Sequence, residues 1–307
     1  MSTPEHPDHR AGIIAGLSAY TVWGLLTIYW KQLHEFDAFE LIGWRVCAAS
    51  VLMAIVLTVT RRWKRVIAIR RDPRLLGRVA AAAFFLTVNW TTYVYAVVHG
   101  HVLETALGYF TAPIGTVLVG VLILHESLRP AQKLSLGFAA AAVVVLTIAN
   151  GTLPWIAILL TVSWVWYGYL KKHVPLSPAE SMAAEVFLLL PIAVTVAIWL
   201  GSRPGSIPHT ASHMELGLAA LTGLVTVTPL TLFAFAAQRV PLTTLGPMQY
   251  LVPSMNFFIG WLMYDESLPP SRMAGFALVW LALAVLTVDG WQRSRRVMEP
   301  DALEPAC

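Results

Sequence analysis

The sequence predicts an all-α integral membrane protein in which ten transmembrane helices form two inverted five-helix repeats. Three observations lead there. Of the 307 residues, 57% are hydrophobic and only 12% are charged, about half the charged share of a soluble domain. So few charges cannot cover a water-soluble surface, which excludes a soluble enzyme, a disordered chain and a disulfide scaffold. Second, runs of about 20 apolar residues, the length that crosses a bilayer, recur ten times. Third, a set of residues in the first half returns 140 positions later.

The ten runs are 11–30, 38–60, 78–98, 101–124, 132–149, 153–170, 179–200, 215–237, 241–263 and 273–290. The first follows a polar tail (1–10) and is too long for the core of a cleavable signal. Connections are short, and no period-2 alternation suggests a barrel. Loop charges set the direction. With the N-terminus in the cytoplasm, seventeen Lys and Arg fall inside, eight of them between Arg61 and Arg78. Lys31, Arg203 and Arg272 fall outside, and Arg45 lies within a span. Both termini, including the 291–307 tail, are therefore expected in the cytoplasm. The basic 61–78 segment is expected to lie on anionic headgroups.

Gly120, Glu126, Ser127, Leu128 and Pro130 recur as Gly260, Glu266, Ser267, Leu268 and Pro270. Pro113 with Pro253, Thr91 with Thr231, Ala96 with Ala236, and Leu146-Thr147 with Leu286-Thr287 share that offset. The halves are then 11–150 and 151–290. Five is odd, so the second half enters from the opposite side. Inverted repeats of this kind place a substrate site near the midplane, where the halves meet.

Several segments carry a family likeness: Ala19 through Gly24 (AYTVWG), Glu40 through Arg45 (ELIGWR), Asn89-Trp90, Leu103 through Phe110 (LETALGYF), and Thr244 through Tyr250. On these the chain resembles the drug/metabolite transporter superfamily, and within it the EamA-type, RarD-like permeases, over residues 10–291. The family's Gly-Glu at the turns after helices 4 and 9 reads His125-Glu126 and Asp265-Glu266 here. The resemblance implies ten helices, inverted repeats and export of a small solute across the bacterial inner membrane. Members are often labelled chloramphenicol-sensitivity proteins, a label that names no substrate.

Ionisable groups inside a span cost about 2.5–3.5 kcal/mol each on insertion scales. Arg45 cannot shed its charge and lies about 7–8 Å deeper than Glu40 at 1.5 Å per residue. Glu40 and Glu104 are its expected ion-pair partners, as a structural tie between spans 2 and 4 or as part of an anion site or gate. A carboxylate that gains and loses a proton would couple export to the proton gradient. Glu185 and Glu104 are the candidates, since neither has an obvious partner one turn away. Asp289 sits at the inner edge and is expected to be solvated.

Mid-span aromatic and amide groups need hydrogen-bond partners and tend to face a neighbour or a cavity. This marks Tyr20 and Trp23 in span 1, and Asn89, Trp90 and Tyr93 in span 3. Tyr109 is marked in span 4, Trp164 and Tyr167 in span 6, Thr228 in span 8, and Gln249, Tyr250 and Asn256 in span 9. Spans 5 and 10 are nearly pure Ala, Val and Leu and are expected to face lipid or a second copy, as in a homodimer. Pro113 and Pro253 each free a carbonyl four residues earlier, so each breaks its helix at the substrate or merely kinks it.

The histidines have no metal-ligand spacing, and no phosphate-binding Gly-Lys-Ser/Thr loop is present. Neither metal nor cofactor is expected. The basic residues sit in short loops between apolar runs, which argues against nucleic acid. The sequence therefore predicts a non-enzymatic secondary permease that exports a small metabolite by alternating access, with proton coupling open. A drug-efflux permease of the chloramphenicol type and a non-transporting scaffold subunit are the alternatives.

Overall fold

The computed structural model describes residues 7–33, 35–98, 102–150, 155–264 and 270–298. Among these residues every regular element is a helix. Span 1 is α1 (Pro7–Lys31) and span 2 is α2 (Ala38–Val59). A short α3 (Trp63–Ala68) and one 3-10 turn (Ile69–Arg71) lead to α4 (Pro73–Val98), which is span 3. Then come α5 (Val102–Leu122), α6 (Pro130–Asn150), α7 (Trp155–His173) and α8 (Pro178–Gly201). After the single-turn α9 (Ile207–Thr210) follow α10 (His213–Arg239), α11 (Leu242–Met248), α12 (Leu251–Tyr264) and α13 (Pro270–Met298). Five of them, α1, α2, α4, α8 and α10, are long and apolar enough to cross a membrane by themselves, with shorter apolar stretches along α5, α6 and α13.

The helix starts follow from local chemistry. Asp37 caps α2 by accepting from the N–H groups of Phe39 and Glu40 at 2.9 and 3.1 Å. Ser177 and Glu180 form a capping box on α8, and Ser212 and Glu215 form one on α10. Each thereby satisfies donors that the first turn leaves open. Proline opens α4, α6 and α13, where its missing N–H costs nothing.

The packing maps onto itself when the halves are exchanged. Helices α2 and α8, α5 and α11, and α6 and α13 pair directly. The α1–α10 contact is mirrored by α4–α7, α2–α10 by α4–α8, and α5–α7 by α1–α12. This is the two-fold of an inverted repeat. The crossings are close where a glycine allows it. A Cβ on Gly223 would lie 2.5 Å from the backbone carbon of Ala48, so α10 can touch α2 only because position 223 has no side chain.

The structure sharpens the sequence reading at four places. The ninth span is two helices, broken at Gln249-Tyr250. Pro253 cannot donate to the Gln249 carbonyl, and Pro247 likewise frees the Thr243 carbonyl, which takes the Gln132 side-chain amide at 3.1 Å. The repeat-matched Pro113 lies inside a continuous α5, so the two prolines do different work. The 61–78 segment also packs on the protein. It folds back on α8, with Trp63 stacked on Phe187 at 5.5 Å and Arg62 and Arg65 3.6 and 3.4 Å from Glu180. Finally, Lys171, counted among the loop charges, is fully buried.

Candidate functional site

A cavity of about 210 Å³ lies where α1, α4, α5, α7 and α12 converge, with Arg45 of α2 in its wall. Four tryptophans (Trp23, Trp30, Trp90, Trp164) and three tyrosines (Tyr20, Tyr93, Tyr109) line it. Along α1 it runs from Tyr20 to Trp30, from mid-span toward the end where α1 finishes and α2 begins. On the other side of Tyr20 the halves close. A Cβ on Gly12 would meet Val240 at 2.6 Å, one on Gly16 would meet Leu245 at 3.1 Å, and one on Gly246 would meet the Pro113 carbonyl at 2.9 Å.

The floor is a fixed polar and aromatic lattice. The Trp164 indole donates to Gln249 Oε1 at 3.0 Å, and the Gln249 amide donates to Thr116 Oγ1 at 2.9 Å. Trp23 meets Trp164 edge to face at 5.2 Å. Asn89 donates to the Leu160 carbonyl at 3.0 Å and to Ser163 at 3.1 Å. Nearer the mouth, Thr27 donates to Asn256 Oδ1 at 2.7 Å. These bonds engage both ends of the Gln249 amide and one end each of Asn89 and Asn256, and so fix the aromatic floor. Tyr20 lines the cavity as well, and its buried hydroxyl has no partner among the described residues.

Of the twelve cavity residues expected from sequence, nine line it: Tyr20, Trp23, Asn89, Trp90, Tyr93, Tyr109, Trp164, Gln249 and Asn256. Three do not. Tyr167 is fully buried behind the floor, stacked on Phe233 at 6.0 Å, with its hydroxyl donating to Glu185 at 3.4 Å. Tyr250 faces away and donates to the Phe110 carbonyl at 3.2 Å. Thr228 is on the exposed face of α10; its neighbour Thr226 does the work instead. Trp30, Thr27 and Leu160 line the cavity without having been singled out.

The charged residues depart further from expectation. Arg45 does not pair with Glu40. Its Nε donates to Thr226 Oγ1 at 2.7 Å, and its guanidinium lies 4.1 Å over Trp90 and 5.4 Å from Trp30. Positions five apart are about 140° apart around a helix, so Glu40 and Arg45 meet different neighbours. Glu40 is buried against α9, where it accepts from the Ile207 N–H at 3.0 Å. Glu180 stands 140 residues later and is likewise buried, at the start of its own helix. It accepts from the Ser177 N–H at 3.0 Å and faces Arg62 and Arg65. The side chain of Glu104 and all of Glu266 lie outside the described residues.

Glu185 has partners after all. It is fully buried with Lys171, which pairs with it across α7 and α8, and Ser181 one turn earlier donates to it at 3.0 Å. Glu185 is the repeat equivalent of Arg45, 140 positions on. One member of the pair of positions faces the cavity; the other is sealed on the closed side. Asp289 is tied to Arg129 at 3.2 Å rather than free in water. At the same level Glu126 accepts from the N–H groups of Leu242 and Thr243, at 3.1 and 2.9 Å, and so caps α11. Among the described residues no group of His, Cys, Asp and Glu could hold a metal.

The EamA-like transporter family matches residues 10–148. Protein RarD of Streptomyces exfoliatus is 40% identical over 94% of this chain and 92% of its own length. An uncharacterized transporter of Bacillus subtilis, YojE, is 32% identical over 95% and 99%. The chloramphenicol-sensitive protein RarD of Pseudomonas aeruginosa is 25% identical over 92% and 95%. A solved protein structure superimposes with a TM-score of 0.70 at 18% identity, covering 90% of this chain and 97% of that one, which supports the fold.

Proposed function

Because the chain belongs to the EamA-like transporter family, as a RarD-like permease of the drug/metabolite transporter superfamily, we propose that it exports a small metabolite across a bacterial inner membrane by alternating access. The protein is a multi-pass membrane transporter. The observation that carries the finer reading is the cavity: it sits between two pseudo-symmetric halves, extends toward one end of them and is bounded by tight packing toward the other. Exchanging the conformations of the two halves would close the first side and open the second. With both termini in the cytoplasm, the charge bias of the loops makes the present opening the outward one.

Glu185 is then the carboxylate best suited to proton coupling. Its repeat equivalence to Arg45 supports a position on the opposite vestibule, where opening would part it from Lys171 and bring it to water. On this reading the chain moves its substrate unchanged and is not an enzyme; it needs no cofactor and binds no nucleic acid. The outer faces of α6 and α13, which pack on each other, are left for lipid or a second copy.

Purified protein in liposomes loaded with the polar metabolites of a bacterial extract tests the proposal. We expect a subset of solutes to leave faster than from protein-free vesicles, as read by mass spectrometry. Equal efflux of every solute would refute it.

A further inference from the structure

Resting on the transporter reading, we propose that the cavity is selective for an organic oxyanion, a carboxylate or phosphate, carried on a flat body. Among the described residues the cavity lining holds no Asp, Glu or Lys, and Arg45 is its one formal charge. A guanidinium carries five N–H donors in a planar fork. Here Nε alone is used, by Thr226, and no carboxylate meets Arg45 among the described residues. The contrast with its repeat mate sharpens this: Glu185 is neutralised by Lys171, while the described neighbours of Arg45 are the Thr226 hydroxyl and the rings of Trp90 and Trp30, none of them an anion. A stacked guanidinium keeps its edge for bidentate contact with an oxyanion. An unpaired cation inside a bilayer is costly, and an anionic substrate supplies the missing partner.

Tyr20 gives a second, independent pointer. Tyr20 lines the cavity, and its buried hydroxyl has no partner among the described residues, which is costly unless a ligand supplies the bond. Tyr20 and Trp30 are ten residues apart on α1, about 15 Å along the axis. The substrate is therefore elongated, with the oxyanion at the level of Arg45 and Trp30, its flat part against the tryptophans, and a second polar group toward Tyr20. Thr226 touches Arg45 rather than the cavity and is a positioning residue.

The test uses three probes, the anionic, neutral and cationic fractions of a bacterial polar-metabolite extract, separated by ion exchange and loaded into liposomes holding the full-length protein. Protein-dependent efflux should come from the anionic fraction. Arg45→Gln should cut that efflux at least ten-fold with helical content and elution volume unchanged, and Arg45→Lys should retain part of it. Thr226→Val should raise the concentration for half-maximal efflux while leaving the maximal rate near native, a split that a purely structural residue would not give; it also stands in if Arg45→Gln fails to fold. Efflux mainly from the neutral or cationic fraction, or anion efflux untouched by either variant, overturns the anion inference and leaves the permease reading intact. No efflux from any fraction brings down both.

Discussion

Replacing Lys171 by Met should destabilise the protein far more than replacing Lys171 and Glu185 together. Both side chains are completely shielded from solvent. Lys171 serves two partners, Glu185 and Ser181, the latter at 2.9 Å. Without it Glu185 keeps one hydroxyl bond from Ser181 at 3.0 Å and a long one from Tyr167 at 3.4 Å. Neither carries a compensating charge. Removing one member of a buried pair costs about 3–5 kcal/mol, whereas replacing both with apolar groups of similar volume is near neutral. Lys171→Met should therefore lose about 3 kcal/mol or more, and Lys171→Met with Glu185→Leu should return to within about 1 kcal/mol of native. Denaturation in mixed micelles, followed by tryptophan fluorescence, measures both. A loss below about 1 kcal/mol in the single variant, or a double variant as unstable as the summed singles, would refute the argument. Transport by the stable double variant then bears on coupling. Retained but pH-independent export assigns the proton to Glu185, and unchanged pH dependence removes it.

Three further outcomes are expected. Gly223→Ala should prevent normal packing of α10 on α2, because its Cβ would lie within 2.7 Å of three Ala48 and Ala49 backbone atoms. Gly217→Ala on the same helix meets open space and should gain about 1 kcal/mol from helix propensity; thermal denaturation of the two variants should move in opposite directions. His125 holds a left-handed backbone, φ 53°, so His125→Gly should raise stability by about 1 kcal/mol, and a lower melting temperature would contradict this. In a Cys47→Ser, Cys307→Ser background, a cysteine at Ser202 should react with an impermeant maleimide added to whole cells, and one at Lys64 should not. The reverse labelling pattern would invert the proposed orientation.

Much of the fold is written in the spacing of apolar runs, and much of the cavity in the rule that a mid-span Trp, Tyr or Asn needs a partner. That rule finds Trp23, Asn89, Tyr109, Trp164 and Gln249, which meet at one cavity although far apart in the chain. It cannot say which way a side chain turns. Tyr167 and Tyr250 lie in cavity-forming spans yet donate to Glu185 and Phe110, and Thr228 loses its place to Thr226, two residues away. Depth along a helix joined Glu40 to Arg45, while the angle around the helix separates them. Lys171 stands one residue beyond the apolar run and so reads as a loop charge, and Glu180, at the start of α8, reads as a surface cap. Their burial depends on α3 and α8, whose packing no local pattern encodes. The stacking of Arg45 on Trp90 likewise joins residues of two helices.

The positive charge that Arg45 gives the described cavity bears on which way transport runs downhill. A bacterial cell is electrically negative inside, and moving one elementary charge through the whole membrane voltage is worth about 2.3 kcal/mol per 100 mV. If Arg45 carries a monovalent anion with no accompanying cation, each cycle moves one negative charge outward, and the voltage alone favours export. At 100 mV this sustains an outside-to-inside ratio of roughly fifty-fold. Had position 45 been acidic like its counterpart Glu185, the preferred cargo would be cationic and the same voltage would pull it into the cell. The identity of a single side chain at two symmetry-related positions thus sets whether the membrane voltage works with an exporter or against it. A proton entering through Glu185 would add to that drive.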